Sequence, residues 1–328
     1  MKDYGIKQIV YQSPDNSHRI YMADNSVYLW DVTIDAGVGE EVYIAHLSDI
    51  HYNYCNEQDF AEADPVLMSS HEHRLWLYNG ASVPNVRRCL DMAEEADAHV
   101  FNGDTLDYQS KGAMELMDKE IWERYPDCIA TLGGHEIARQ MQGEVAETLS
   151  RQERLKILED YWRHDIYYTS KVIKDKVLLI GFLNDCGWQT AEQKEKLKAD
   201  LQRAREHGYV VLLFAHEPIA TNNPTYTTFT VNDILLKGDT GGFPRNYFDG
   251  TGNHIPGGVT ANAESRAFYD VIYNSADVIK GFFAGHTHND FTLDILAKTP
   301  SGEDAVIPQF VHTTSVIGNG HFMRILVK

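Results

Sequence analysis

The stretch EVYIAHLSDIH, residues 41–51, decides the fold class. Glu41–Leu47 is an apolar run of strand length, and beyond Ser48 it gives way to a carboxylate and an imidazole two residues apart, Asp49 and His51. The same arrangement recurs down the chain. Ala98–Asn102 precedes Gly103-Asp104-Thr105-Leu106-Asp107, and Cys128–Leu132 leads to Gly134-His135-Glu136. Tyr209–Ala215 leads directly to His216, and Asp277–Ala284 to Gly285-His286-Thr287-His288. Helical spacing falls between these runs, over Asn85–Ala96, Ala113–Arg124, Glu144–Trp162 (one or two helices), Ala191–Glu206 and Asn262–Asn274. Three strand-like runs, Phe291–Leu296, Ala305–Thr314 and Phe322–Val327, close the chain. Strands alternating with helices and then closing strands predict an α/β sandwich of mixed sheets, with every polar block at one sheet edge.

Local signals refine this outline. Tyr167–Ile173 and Lys176–Leu183 pair as a hairpin about Lys174-Asp175, and Thr190 and Gly208 bracket the helix Ala191–Glu206 as N-cap and C-terminal stop. Tyr209–Ala215 is wholly apolar, as a strand buried on both faces should be. Residues 1–36 carry short alternating pieces that read as small strands, an N-terminal hairpin on a sheet edge. The polar segment Tyr52–Ser82 has no clear period. Residues 217–258, rich in Gly, Tyr, Phe, Asn and Pro, form a long insertion and a candidate active-site lid. One folded domain over residues 1–328 is expected.

Composition narrows the function. The chain has 328 residues and a formal net charge of −19, with 29 basic and 48 acidic residues. That balance repels nucleic acid and anionic membrane, and no Lys/Arg stripe with interleaved aromatics offsets it. Bound metal ions can still reverse the local sign and hold a phosphate. Cys55, Cys89, Cys128 and Cys186 show no C-x-x-C spacing and suggest no disulfide scaffold; Cys89 and Cys128 read as small core residues. The first residues lack an apolar signal core and no apolar run approaches the length of a membrane span, so a cytoplasmic protein is expected.

Carboxylates and imidazoles delivered together from strand ends suit first-row metals such as Mn, Fe, Zn or Co better than Ca or Mg. Two such ions roughly 3.5–4 Å apart would clamp a phosphoryl group and activate water. A lone histidine is usually an ordinary core or surface residue; the joint placement of His51, His216, His286 and His288 is what carries the metal reading. His71-Glu72-His73 reads instead as part of a solvated loop, and His254, His312 and His321 lack a partner pattern.

The order D-x-H, G-D-x-x-D, G-x-H-E, H, G-H-x-H over Glu41 to His288 resembles the calcineurin-like metallophosphoesterase superfamily. The resemblance implies a four-layer α/β/β/α sandwich of two mixed sheets flanked by helices. It implies that Asp49, His51 and His288 hold one metal, that Asp104 bridges, and that His216 and His286 hold a second. His135 would protonate the leaving oxygen, Asp107 would orient His135, and a metal-bridging hydroxide would attack. The family pattern has Asn where this chain has Gly134, which removes an amide ligand from the second metal; water could take the position and leave a weaker, more exchangeable site, the substitution could be deliberate, or a neighbouring side chain could stand in. Asp107-Tyr108 also replaces the Asp-Arg-Gly of Ser/Thr protein phosphatases, which argues against a protein substrate. The expected activity is hydrolysis of a small or medium-sized phosphoester. The long insertion favours a diesterase over a monoesterase, since it offers a surface for a second alcohol group. The alternative is a weakened metal- or phosphate-binding module.

Overall fold

The computed structural model describes residues 27–78, 82–139, 145–184, 189–219, 263–288, 290–316 and 319–328. The candidate lid, apart from residues 217–219, lies outside these residues, as do His254 and Cys186. Two mixed sheets form the centre. The first is built from β1 (Val27–Ile34), β2 (Val42–Leu47), β3 (Ala98–Asn102), β4 (Ile129–Thr131), β11 (Ser315–Val316) and β12 (Asn319–Val327), in the order β1-β12-β2-β3-β4 with β11 paired to β12. The second holds β5 (Tyr168–Ile173), β6 (Val177–Phe182), β7 (Val210–Phe214), β8 (Ile279–Ala284), β9 (Phe291–Lys298) and β10 (Asp304–Val311), in the order β5-β6-β7-β8-β10-β9.

The inner faces of the sheets meet in a dry layer that includes Ile44, Val100, Ile129, Leu179, Leu212, Phe214, Phe283 and Ile325. Outside the first sheet, α3 (Ser82–Ala93), α4 (Lys111–Met117) with the turn that follows it, and α5 (Arg151–Glu159) bury Val86, Leu90, Met114, Met117, Trp122 and Leu158. Outside the second, α6 (Ala191–His207) and α7 (Ala263–Tyr273) bury Leu197, Leu201, Phe268 and Ile272. These are the four expected layers. β6, β7 and β8 run parallel and are covered on both faces, which explains why β6 and β7 are apolar at nearly every position.

Local chemistry sets the element ends. The Thr190 hydroxyl accepts from the Gln193 amide while the Gln193 side chain accepts from Thr190, closing a capping box, and Gly208 ends α6 in the left-handed region. The hairpin β5–β6 turns through Lys174 and Asp175 at φ 49° and 51°.

β1 pairs in parallel with β12 at the sheet edge, and the earlier pieces expected to form an N-terminal hairpin lie outside the described residues. Three expectations need correction. Segment 52–82 is not irregular, since it holds α1 (Glu57–Glu62), α2 (Pro65–Tyr78) and the start of α3. The period was hidden because the buried side of α2 includes the polar residues Ser70, His71 and Arg74. Only Arg151–Glu159 of Glu144–Trp162 is helical among the described residues, because Ser150 caps a helix that begins there. The helix expected over Ala113–Arg124 begins at Lys111, under a Ser110 cap, and passes at Asp118 into a single wider turn ending at Trp122.

Candidate active site

The strand ends β2, β3, β4, β7 and β8 deliver five loops to one edge. Backbone bonds stitch the loops together. Asp49 N donates to Gly103 O at 2.9 Å, His51 N to Asp104 O at 2.9 Å, and Gly285 N to His216 O at 2.8 Å. Two glycines permit the approach. A Cβ at Gly103 (φ +81°) would lie 2.5 Å from the His216 ring, and one at Gly285 would lie 1.9 Å from Ser48 Oγ.

The side chains gather into two groups that share Asp104. Ligand atoms of Asp49, His51, Asp104 and His288 lie within 4.8 Å of one another, and so do those of Asp104, His216 and His286. Asp49, His51, Asp104, His286 and His288 all have left-handed backbone angles, at φ 55°, 52°, 50°, 71° and 54°. Such conformations cost on the order of 1 kcal/mol each and mark a site where geometry is held by its surroundings.

The donor set fits two cations. His216 Nδ1 is fixed by Asn102 O at 2.9 Å, which turns Nε2 to within 3.1 Å of Asp104 Oδ2 without forming a hydrogen bond. His288 Nε2 lies 3.3 Å from Asp49 Oδ1. In the metal-free protein, burial would push the Asp49 carboxyl up, but the His288 hydrogen bond and nearby imidazoles hold it at about 2. Burial depresses His51 to about 4 and, aided by His216, His286 to about 3, so both offer neutral ring nitrogens. Burial opposes ionisation of Asp104, but His135 and His216 hold its carboxyl well below the ordinary value.

His51, Asp107 and His135 form a third cluster. Its carboxylate already carries a cation: the Arg74 guanidinium on α2 bonds both Asp107 oxygens. We therefore read this trio as a hydrogen-bonded cluster beside the metal groups. His135 Nδ1 lies 2.7 Å from the Asp107 backbone oxygen, and Nε2 is 3.8 Å from Asp104 Oδ2. Burial works against protonation of His135, yet Asp104 and Asp107 raise its pKa above the ordinary value.

Sequence reasoning missed several supporting residues. Glu136 is fully buried and accepts backbone N–H bonds from Asp104, Thr105, Leu106 and Gly133, tying the loop that carries Asp104 to the loop that carries His135. Its place directly after His135 was the available signal. Asn53 and Arg74 converge on Asp107, but nothing in their local sequence announced it. His71 does not sit in a solvated loop; it is buried on α2 with Nδ1 2.6 Å from Tyr108 Oη. His312 and His321 do have a partner, since both Nδ1 atoms contact Asp290, at 3.2 and 2.7 Å. Cys55, Cys89 and Cys128 are free and buried, and burial pushes the Cys55 and Cys128 thiols up to about 12. Gly134 adopts ordinary helical angles, and a Cβ there would meet nothing within 4 Å. No helix among the described residues is long and apolar enough to cross a membrane.

Residues 42–290 match the family model described as calcineurin-like phosphoesterase. No curated protein matches the sequence. Similar solved structures include a dimetal phosphatase from Danio rerio, at 14% identity and TM-score 0.44, covering 82% of this chain and 86% of that one. A putative 5′-nucleotidase from Staphylococcus aureus shows 13% identity and TM-score 0.35 over 84% of this chain, which spans only 55% of that protein. The NAD nucleotidase of Haemophilus influenzae shows 11% identity and TM-score 0.38 over 84% of this chain and 50% of that one.

Proposed function

The chain belongs to the calcineurin-like phosphoesterase family, and from that membership and the site geometry we propose that it is a phosphoric ester hydrolase working as follows. Asp49, His51 and His288 would hold one metal ion, His216 and His286 a second, and Asp104 would serve both. The observation that carries this reading is the sharing of Asp104 between a four-residue and a three-residue ligand group. A bound metal pair supplies charge neutralisation and activated water at neutral pH. His135 protonates the leaving oxygen, supported by its place beside both ligand groups, with Nε2 3.8 Å from Asp104 Oδ2. Asp107 holds the His135 ring through its backbone oxygen and neighbouring carboxylate, at 2.7 and 3.3 Å from Nδ1.

The substrate is a small or medium-sized phosphoester, and a diester is favoured on the length and the Tyr and Phe content of the insertion at 217–258, read from its sequence. Steady-state rates on generic aryl phosphomonoesters and diesters, each with Mn, Co, Zn and Fe, test this. A higher kcat/KM on the diester is expected; a clear monoester preference would remove that assignment. A weakened binding module remains the second reading, motivated by Gly134, which supplies no side-chain donor where the family pattern has Asn. Absence of turnover with every metal and ester would favour it.

A further inference from the structure

Helix α2 brings to the site a cation that none of the strand-end blocks contains. Arg74 is only 4% exposed, and its Nε lies 3.1 and 3.0 Å from the two Asp107 oxygens while Nη2 lies 2.5 Å from Oδ1. The same carboxylate meets His51 Nδ1 at 3.1 Å, Asn53 Nδ2 at 2.8 Å and His135 Nδ1 at 3.3 Å. One helical turn before Arg74, His71 opens a second route to the same group. The Tyr108 hydroxyl donates to Asn53 Oδ1 at 2.9 Å, so the 2.6 Å contact from His71 Nδ1 must supply the hydrogen to Tyr108. The donors His71, Tyr108 and Asn53 thus all point toward Asp107, an alignment in which each bond polarises the next.

We propose that Arg74 is a positioning residue for phosphoester hydrolysis: its two-nitrogen grip on Asp107 fixes the His135 ring, with the His71–Tyr108–Asn53 chain as a second brace. The inference rests on the reading of His135 as the group that protonates the leaving oxygen. A planar guanidinium sets the plane of a carboxylate, which a lysine ammonium does not. Locking Asp107 holds Nδ1 of His135 against the Asp107 backbone oxygen and keeps Nε2 on the side of Asp104. A ring left free to rotate would spend less time oriented for proton transfer, and general acid catalysis depends on that geometry.

The test compares native chain, Arg74→Lys, His135→Ala and the double variant on two phosphoesters, one of a nitrophenol and one of an aliphatic alcohol. The nitrophenolate leaves without a proton, whereas the alkoxide needs one. Arg74→Lys retains the buried cation and should leave metal content and KM unchanged. It should lower kcat about tenfold on the aliphatic ester and less than about threefold on the nitrophenyl ester, a modest share of the rate that a general acid supplies. In the His135→Ala background the Lys substitution should have no further effect. Tyr108→Phe cuts the second brace at an uncharged group and should show the same selectivity in smaller measure.

Equal losses on both esters, or a loss that persists without His135, would overturn the inference while leaving the general-acid reading intact. Native rates for His135→Ala on both esters would instead sink the general-acid reading, and the role of Arg74 with it.

Discussion

His51 Nε2 and His288 Nε2 face each other at 2.9 Å across 237 residues of chain. At most one hydrogen can sit between two neutral imidazole nitrogens, while a shared cation would satisfy both and Asp49 besides. Thermal unfolding of the chelated chain should therefore shift upward on addition of Mn, Co or Zn. A ligand at about a hundred times its Kd stabilises the folded state by about 2.7 kcal/mol. His288→Ala should remove most of that shift, and an undiminished shift would show that the stabilising ion binds elsewhere.

Gly134 has room for a side chain, since a Cβ there meets nothing within 4 Å and its φ of −66° suits any residue. Gly134→Asn should fold normally and add an amide donor to the smaller ligand group. Calorimetric metal titration should show the second equivalent binding about tenfold tighter, close to 1.4 kcal/mol. An unchanged second affinity in a folded variant would mean that the amide does not reach the ion.

His46 on β2 is fully buried with neither ring nitrogen hydrogen-bonded, against Phe214, Phe283 and His312. Burial, with His312 adding to it, holds its pKa well below the ordinary 6.5. Below pH 6.5 the unfolded chain takes up this proton and the folded chain does not, so His46 costs stability as pH falls from 6.5 toward its folded value. His46→Leu should gain stability relative to the native chain by roughly 1.4 kcal/mol for each pH unit in that window. Urea unfolding at pH 7.5 and pH 5 measures it; a pH-independent difference would refute the assignment.

Lys174 and Asp175 turn the β5–β6 hairpin with φ of 49° and 51°, and Ile173 O accepts from Lys176 N at 3.0 Å. Lys174 also bonds Asp97 at 2.8 Å, so Asp175 is the position to change. Asp175→Gly should relieve left-handed strain and stabilise the chain by about 0.5–1 kcal/mol, readable as a higher denaturation midpoint. A lower midpoint would mean that the entropy lost by glycine outweighs the relieved strain.

The legibility of this chain divides along physical lines. Strands such as Val42–Leu47 and Val210–Phe214 are apolar because both faces are covered, and their ends are abrupt because polar loop residues begin there. That Asp49, Asp104 and His286 gather at one edge could therefore be read from order and spacing, and the α/β layering with it. Arg74, Asn53 and His71 could not, because each earns its place through a contact 33–55 residues distant rather than through a local pattern. A buried helix face that mixes Val66 and Leu67 with Ser70, His71 and Arg74 leaves no clear apolar period, so α2 was invisible until its partners Asp107 and Tyr108 were in place.

The most direct test of the shared-carboxylate centre is a titration of the chelated chain with Mn, reading hydrolysis of an aryl phosphoester against metal equivalents. The predicted result is activity that rises toward two equivalents per chain and is lost in Asp104→Ala. Activity that is complete without added metal, or that survives intact in Asp104→Ala, would contradict it.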